Sequence, residues 1–155
     1  MGHCQLFTNF EIMASKSKVY FFSHNVKGEI SKRTLLRQTL EFLFKKEKKE
    51  LDCLNYVFCS DEFLLKLNRE YLQHDYYTDI ITFTLSGDEA PINAEAYISI
   101  DRVRDNARRF ALPFNRELLR VVIHGALHLC GYSDKSARKK VQMRKKEDHY
   151  LAYLD

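Results

Sequence analysis

His124 and His128, in the stretch "HGALHLCGYSD" (His124 to Asp134), are the residues whose types and spacing best suit chemistry. Four residues of α-helix advance about 400°, so both imidazoles leave nearly the same face about 6 Å apart along the axis. That separation lets both rings reach one zinc ion at about 2.0–2.1 Å. Gly131 follows, where a helix can end in a left-handed residue, and the reversal it permits can bring Asp134 to the same ion as a third ligand. Two nitrogens and one carboxylate oxygen leave a fourth position for water, the plan of a catalytic zinc site rather than a closed structural one. A HxxxH pair alone is a weak signal, because most such pairs are ordinary partly buried histidines; the glycine and the carboxylate supply the missing geometry. In a HExxH peptidase the Glu after the first histidine takes a proton from water. Gly125 stands there in this chain, which removes the general base and leaves peptide hydrolysis a distant third reading.

The histidines need a helix to hold them. "NRELLRVVIHGALHLCG" places Leu118, Leu119, Val122, Ile123, Ala126 and Leu127 on an apolar stripe beside the imidazoles, with Asn115 as its expected cap. Upstream, "KVYFF" (Lys18 to Phe22) reads as a strand. A helix follows with Ser31 as cap and Leu35, Leu36, Leu40, Leu43 and Phe44 at helical spacing. "LNYVFCS" is a second strand, and a helix capped by Ser60 or Asp61 then carries Phe63, Leu64, Leu67 and Tyr71 on one face. "TDIITFTL" (Thr78 to Leu85) and "AEAYISI" (Ala94 to Ile100) are predicted to pair as a hairpin across the turn residues of "SGDEAPIN". A helix from Asp101, a break at Pro113 and a last helix over 136–150 complete the order β-α-β-α-β-β-α-α-α. This predicts an α+β fold: a small mixed β-sheet of about four strands, about five helices packed on it, and a zincin-like metal helix.

The 155 residues suffice for one domain with a full core, expected over 17–155, with residues 1–16 as a poorly specified N-terminal extension. The 45% hydrophobic and 30% charged fractions match an ordinary soluble globular protein, and no apolar run approaches the roughly 20 residues that cross a bilayer. The first residues lack the basic start and apolar run of a secretory signal, so a cytoplasmic protein with no membrane association is expected. Cys4, Cys53, Cys59 and Cys130 form no CxxC pair and read as small buried hydrophobes. The net charge of +4 is modest, yet basic residues gather over 45–49, 102–109 and 135–146. The last two clusters flank the histidine segment, where they can supply a phosphate-attracting field.

"HGALHLCGYSD" resembles the signature of the YbeY-like rRNA maturation factors, single-strand-specific metallo-endoribonucleases of bacteria. That family reads roughly H-G-x-L-H-L-x-G-Y-D-H, with three histidines on zinc. "LNREYLQHDYYTDIITF" is similar to the family's L-N-x-x-Y-R-x-x-D-x-x-T-D-V-L-S-F, and "AEAYISIDRVRDNA" to its G-D-I-x-I-S strand and following helix. The resemblance covers about Val19 to Tyr150. It implies one Zn2+ per chain on His124, His128 and Asp134, no dinucleotide cofactor, and action on rRNA of the small ribosomal subunit at the 16S 3′ end in ribosome quality control, with ribosomal proteins as further partners. Two positions depart from the pattern: Asp134 replaces the third histidine, adding negative charge and weakening the Lewis acid, and Leu72 replaces an arginine after Tyr71. Leu72 is the feature that favours the alternative reading, a ribosome-associated RNA-binding factor with a mainly structural metal.

The remaining candidates are weaker. His74, beside Asp75 in the loop that approaches the metal cleft in relatives, is a candidate for substrate contact or proton transfer, although a surface histidine is the plainer account. Arg108, Arg109, Lys135, Arg138 and Lys139 are candidate RNA-binding cations, although a solvated surface charge is the plainer account of each. Tyr76, Tyr77 and Tyr132 can stack on unpaired bases, although core or rim packing is the plainer account. Asp79 matches the family's T-D position and reads locally as a turn residue bonding nearby backbone amides.

Overall fold

The computed structural model describes residues 17–27 and 30–155. The expected extension over 1–16, with Cys4, lies outside the described residues. The elements are β1 (Val19–Ser23), α1 (Arg33–Lys46), β2 (Leu51–Cys59), α2 (Asp61–Leu72), β3 (Ile80–Thr84), β4 (Ile92–Ser99), α3 (Ile100–Arg109), α4 (Phe114–Leu129) and α5 (Ala137–Leu151), closed by a short 3₁₀ turn (Ala152–Leu154). This is the α+β arrangement the sequence predicts: among the described residues, one four-stranded mixed sheet with five helices. Among the described residues no helix is long and apolar enough to cross a membrane.

The sheet order is β1-β2-β4-β3. β1 pairs parallel with β2, and β2 with β4, because in each case an intervening helix carries the chain back. β3 and β4 form the expected antiparallel hairpin, with Ile80 opposite Ile98 and Thr84 opposite Ala94. Side chains alternate across the strands, so β2, β3 and β4 contribute to two cores. Leu54, Tyr56 and Phe58 of β2 and Ala94, Ala96 and Ile98 of β4 face the main core with α1, α4 and α5. Ile81 of β3 and Cys59 of β2 face the other way, against Leu64 of α2, with Phe63, Leu67, Phe83 and Tyr97 around them.

α4 lies in the middle of the main core. Residues on nearly every side of it are buried, including Leu118, Leu119, Val121, Val122, Ile123, Gly125, Ala126 and Leu127. Tyr56, wholly buried in β2, donates its hydroxyl to the Val122 carbonyl at 2.8 Å and ties the helix to the sheet. Gly125 lets Ile80 pack close: a Cβ there would lie 2.5 Å from Ile80 Cδ1, so the end of that side chain would have to shift. The position that bears Glu in a zinc peptidase therefore faces β3 side chains and carries no carboxylate.

Several local expectations are corrected. α1 is entered through Lys32, left-handed at φ 56, without a side-chain cap, so Ser31 lies one residue too early. α4 starts at Phe114 behind Pro113, which puts Asn115 inside the first turn where it caps nothing. α3 begins one residue early, at Ile100, because the Ser99 hydroxyl accepts from Arg102 N–H at 3.2 Å. Ser60 caps α2 as expected, through Phe63 N–H at 3.2 Å. Leu35 and Tyr71, placed on apolar faces by spacing, are exposed.

Candidate metal centre

The end of α4 is built as a Schellman motif. Gly131 N–H donates to the His128 carbonyl at 2.9 Å, and Tyr132 N–H to the Leu127 carbonyl at 3.0 Å. Gly131 takes φ +100, where a side chain is strained. The same turn sets a histidine, because the Tyr132 carbonyl accepts from His128 Nδ1 at 2.9 Å. A carbonyl only accepts, so Nδ1 carries the proton and Nε2 the lone pair. Gly131→Ala is expected to cost more than about 1 kcal/mol in stability. It also moves the Tyr132 carbonyl and Asp134, so zinc titration of the variant shows weaker binding.

His124 is fixed from another direction. Its Nδ1 donates to Glu147 Oε1 at 2.6 Å, which turns its Nε2 toward that of His128, 2.8 Å away. Two neutral rings facing lone pair to lone pair repel unless a cation, proton or metal ion, lies between them. Asp134 completes the group: its Oδ2 is 3.6 Å from His124 Nε2 and 3.9 Å from His128 Nε2. Ligands at 2.0–2.1 Å from a tetrahedral ion stand about 3.4 Å apart, close to these separations. The ligand atoms of His124, His128 and Asp134 all lie within 4.8 Å of one another, the one such group among the described residues. The donor set fits a zinc-sized ion, and each histidine has the outer hydrogen bond that metal-binding imidazoles use to fix their tautomer.

Glu147 was missed at the sequence level, where its helix registered only as a basic cluster. It is 2% exposed, in α5, on the buried stripe of Met143, Tyr150 and Leu151. A carboxylate inside an apolar stripe was the available signal. Glu147 Oε2 also lies 3.4 Å from both Arg120 Nη1 and Arg144 Nη1, while Arg120 forms a two-point pair with the wholly buried Glu117. Burial pushes the Glu147 carboxyl up, but the His124 hydrogen bond and the charges of His124, Arg120 and Arg144 together hold it below its usual value. Burial, then the neighbouring His124 ring, push His128 down, outweighing the Tyr132 carbonyl, Asp134 and Glu147. A depressed His128 keeps its lone pair available at neutral pH.

A second carboxylate, Glu47 just after α1, braces the turn. It accepts from Tyr132 Oη at 2.7 Å, Tyr150 Oη at 2.5 Å and Lys146 Nζ at 2.7 Å. Burial raises its pKa, but these three donors and the Lys146 charge outweigh it and leave the carboxyl below 4.5. Glu47 and Glu147 thus contribute stability that is fully present above pH 4.5 and lost as pH falls through their lowered values. Thermal melts of metal-free protein are expected to lose stability on acidification below pH 4.5, and Glu47→Gln to flatten that loss.

The other sequence candidates are dispersed. A cleft of about 220 Å³ beside the histidines is lined by Arg120, His124, Asp134, Lys140, Met143 and Arg144. Its exposed cations are thus Lys140, the residue after Lys139, and Arg144, rather than the expected residues. Lys139 lines a neighbouring cleft with Gly131 and Tyr132, while Lys135 and Arg138 are simply exposed. Arg108 pairs with Asp105 at 3.6 Å, and Arg109 lies 5.8 Å from the Phe110 ring. His74 is exposed and meets Tyr76 Oη at 2.9 Å. Tyr132, bonded to Glu47, is a rim residue. Leu72, the last residue of α2, is exposed. Asp79 accepts from the Asn106 side chain at 3.2 Å, in place of the backbone amides expected for it. Cys59 and Cys130 behave as hydrophobes, with burial pushing both thiols up to about 12.

Comparisons with known proteins place the chain in a family. The family model described as Endoribonuclease YbeY matches residues 21–155. An endoribonuclease YbeY of Cytophaga hutchinsonii is 47% identical over 134 residues, 86% of this chain and 94% of that protein. The one from Amoebophilus asiaticus is 41% identical over 88% of this chain and 92% of its own length. The one from Phocaeicola vulgatus is 52% identical over 64% of this chain and 71% of its own. A solution structure of TM1509 from Thermotoga maritima superposes with a TM-score of 0.59 at 31% identity, covering 88% of both chains. Such identities across nearly the whole length, with the helix, turn and strand segments that first suggested the resemblance all in place, mean that the chain belongs to the endoribonuclease YbeY family.

Proposed function

We propose that this endoribonuclease cuts single-stranded RNA in rRNA maturation, at the 3′ end of small-subunit rRNA and in ribosome quality control, in the cytoplasm and with one Zn2+ held by His124, His128 and Asp134. The observation that carries the reading is the facing pair of Nε2 lone pairs, 2.8 Å apart, each fixed by an acceptor on its own Nδ1. When bound, zinc at such a site supplies Lewis acidity and lowers the pKa of water to about 7. The chain's own residues do the rest. Glu147 and the Tyr132 carbonyl hold the two imidazoles in the ligating tautomer, which avoids reorganisation during the reaction. Lys140 and Arg144, in the cleft that opens on His124 and Asp134, draw a phosphate of the strand toward the ligands and offset its developing charge. Packing against Ile80 at Gly125 leaves no base for peptide hydrolysis, which favours phosphodiester over peptide substrates. The test is zinc content by elemental analysis together with cleavage of an unstructured RNA. About one zinc per chain and internal cuts that chelation stops and zinc restores are expected; cutting that is indifferent to chelation would overturn the metal's role.

A further inference from the structure

Exposed apolar side chains cluster along one stretch of the chain. Tyr71, Leu72, Tyr76, Tyr77 and Leu85 are all exposed, and all lie between the end of α2 and the residue after β3. The backbone beneath them is firmly held. Asn68, 1% exposed, donates its side-chain amide to the Tyr76 carbonyl at 2.9 Å and receives His74 N–H on its own carbonyl at 3.2 Å. Arg69 pairs with Asp75, and Ser99 N–H donates to the Asp79 carbonyl at 2.9 Å. A buried amide is committed to fixing a loop whose rings stay outside the core. Each ring is also backed by protein: Tyr76 stacks on His74 at 5.1 Å, Tyr77 lies under the Arg102 guanidinium at 5.3 Å, and Tyr71 meets Phe83 edge-on at 5.5 Å. The result is a set of preorganised aromatic surfaces on a rigid support.

The loop that carries Tyr76 and Tyr77 reaches toward the metal centre: the charge of Asp79, two residues after Tyr77, acts on Arg120, which lines the His124 cleft. Ile80, three residues after Tyr77, is the side chain that touches Gly125, the neighbour of His124. Three residues of chain span at most about 10 Å, and a single-strand site engages roughly 4–16 nucleotides, so one strand is long enough to meet both the loop and the cleft. Charge separates the two regions. Arg69 and Arg102 are paired with Asp75 and with Asp61 and Asp105, while in the cleft Arg144 is paired with Glu147 and Lys140 adds an exposed cation. From this arrangement we infer that Tyr76 and Tyr77 form a stacking platform for unpaired bases of the RNA strand whose phosphate enters the His124 cleft. The inference rests on the nuclease reading above. It assigns base recognition and phosphate attraction to different surfaces, and it requires unpaired bases, because those of a duplex have no free faces.

The test measures binding of a fluorescently labelled oligouridylate to His124→Ala protein, which leaves the strand uncut. Adding Tyr76→Leu and Tyr77→Leu keeps apolar bulk but removes the rings. Affinity is expected to fall roughly 10- to 100-fold, with the salt dependence unchanged because no phosphate contact is lost. A strand of the same length with abasic positions is expected to bind the ring-bearing protein as weakly as the intact strand binds the leucine variant. Equal binding of intact and abasic strands, or unchanged affinity in a leucine variant with unaltered circular dichroism, overturns the platform and leaves the loop for a protein partner. With zinc-loaded protein bearing His124, cleavage whose KM ignores the leucine substitutions likewise overturns the platform while the nuclease reading stands. Ring-dependent binding without any cleavage supports the platform and removes the nuclease reading instead.

Discussion

His124→Ala and His128→Ala are each expected to reduce zinc-dependent RNA cleavage on the order of 10³-fold or more, about 4 kcal/mol of transition-state stabilisation. Either change leaves two ligands, and the surviving imidazole then faces a gap where its partner's lone pair stood, 2.8 Å away. Both side chains are only half-buried and the helix around them is held by Val122, Ile123, Ala126 and Leu127, so the fold is expected to survive. In the His124 variant Glu147 keeps Arg120 and Arg144 as partners. Zinc per chain, melting temperature and cleavage rate should be measured on the same preparations. A His128→Ala protein that keeps full zinc and full rate would remove this residue from the ligand set; equal residual cleavage by both variants points to a contaminating nuclease.

Glu147→Gln is expected to weaken zinc binding about 10- to 100-fold without touching a ligand. The carboxylate holds His124 Nδ1–H at 2.6 Å and makes the ring more basic at Nε2; a neutral amide does this less well and presents either end to the ring. The substitution also takes a charge from beside Arg120, whose side chain is 11% exposed. Breaking a buried pair costs about 3–5 kcal/mol, and the low end applies because Glu117 still holds Arg120 at two points. Melts of metal-free protein isolate this structural loss, and zinc titration then reports the effect on the ligand. Unchanged zinc affinity in a folded Glu147→Gln protein would mean that His124 needs no outer partner.

Much of this was legible in the chain itself, for reasons of short range. His124, His128, Gly131 and Asp134 lie within eleven residues, so helical geometry and one left-handed glycine suffice to bring three ligating groups together. The strand and helix segments were readable because period-2 and period-3.6 patterns reflect burial against a sheet. The caps that failed, Ser31 and Asn115, show the limit of local signals: entry to α1 and α4 is set by Lys32 and Pro113, whose backbone angles follow the chain's path over the sheet.

What only the tertiary structure decided is the set of partners that arrive from a distance. Glu147 is 23 residues from His124, and Glu47 lies 85 residues from Tyr132. Their roles depend on how α5 and α1 pack, and no local spacing records that. The same holds for Gly125, whose missing side chain makes sense only once Ile80 of β3 is set against it, and for Lys140 and Arg144, which displace Lys135 and Arg138 at the cleft. Ligand identity is thus encoded along one helix and its turn, whereas ligand orientation, charge balance and access come from elements that meet only when the sheet is complete.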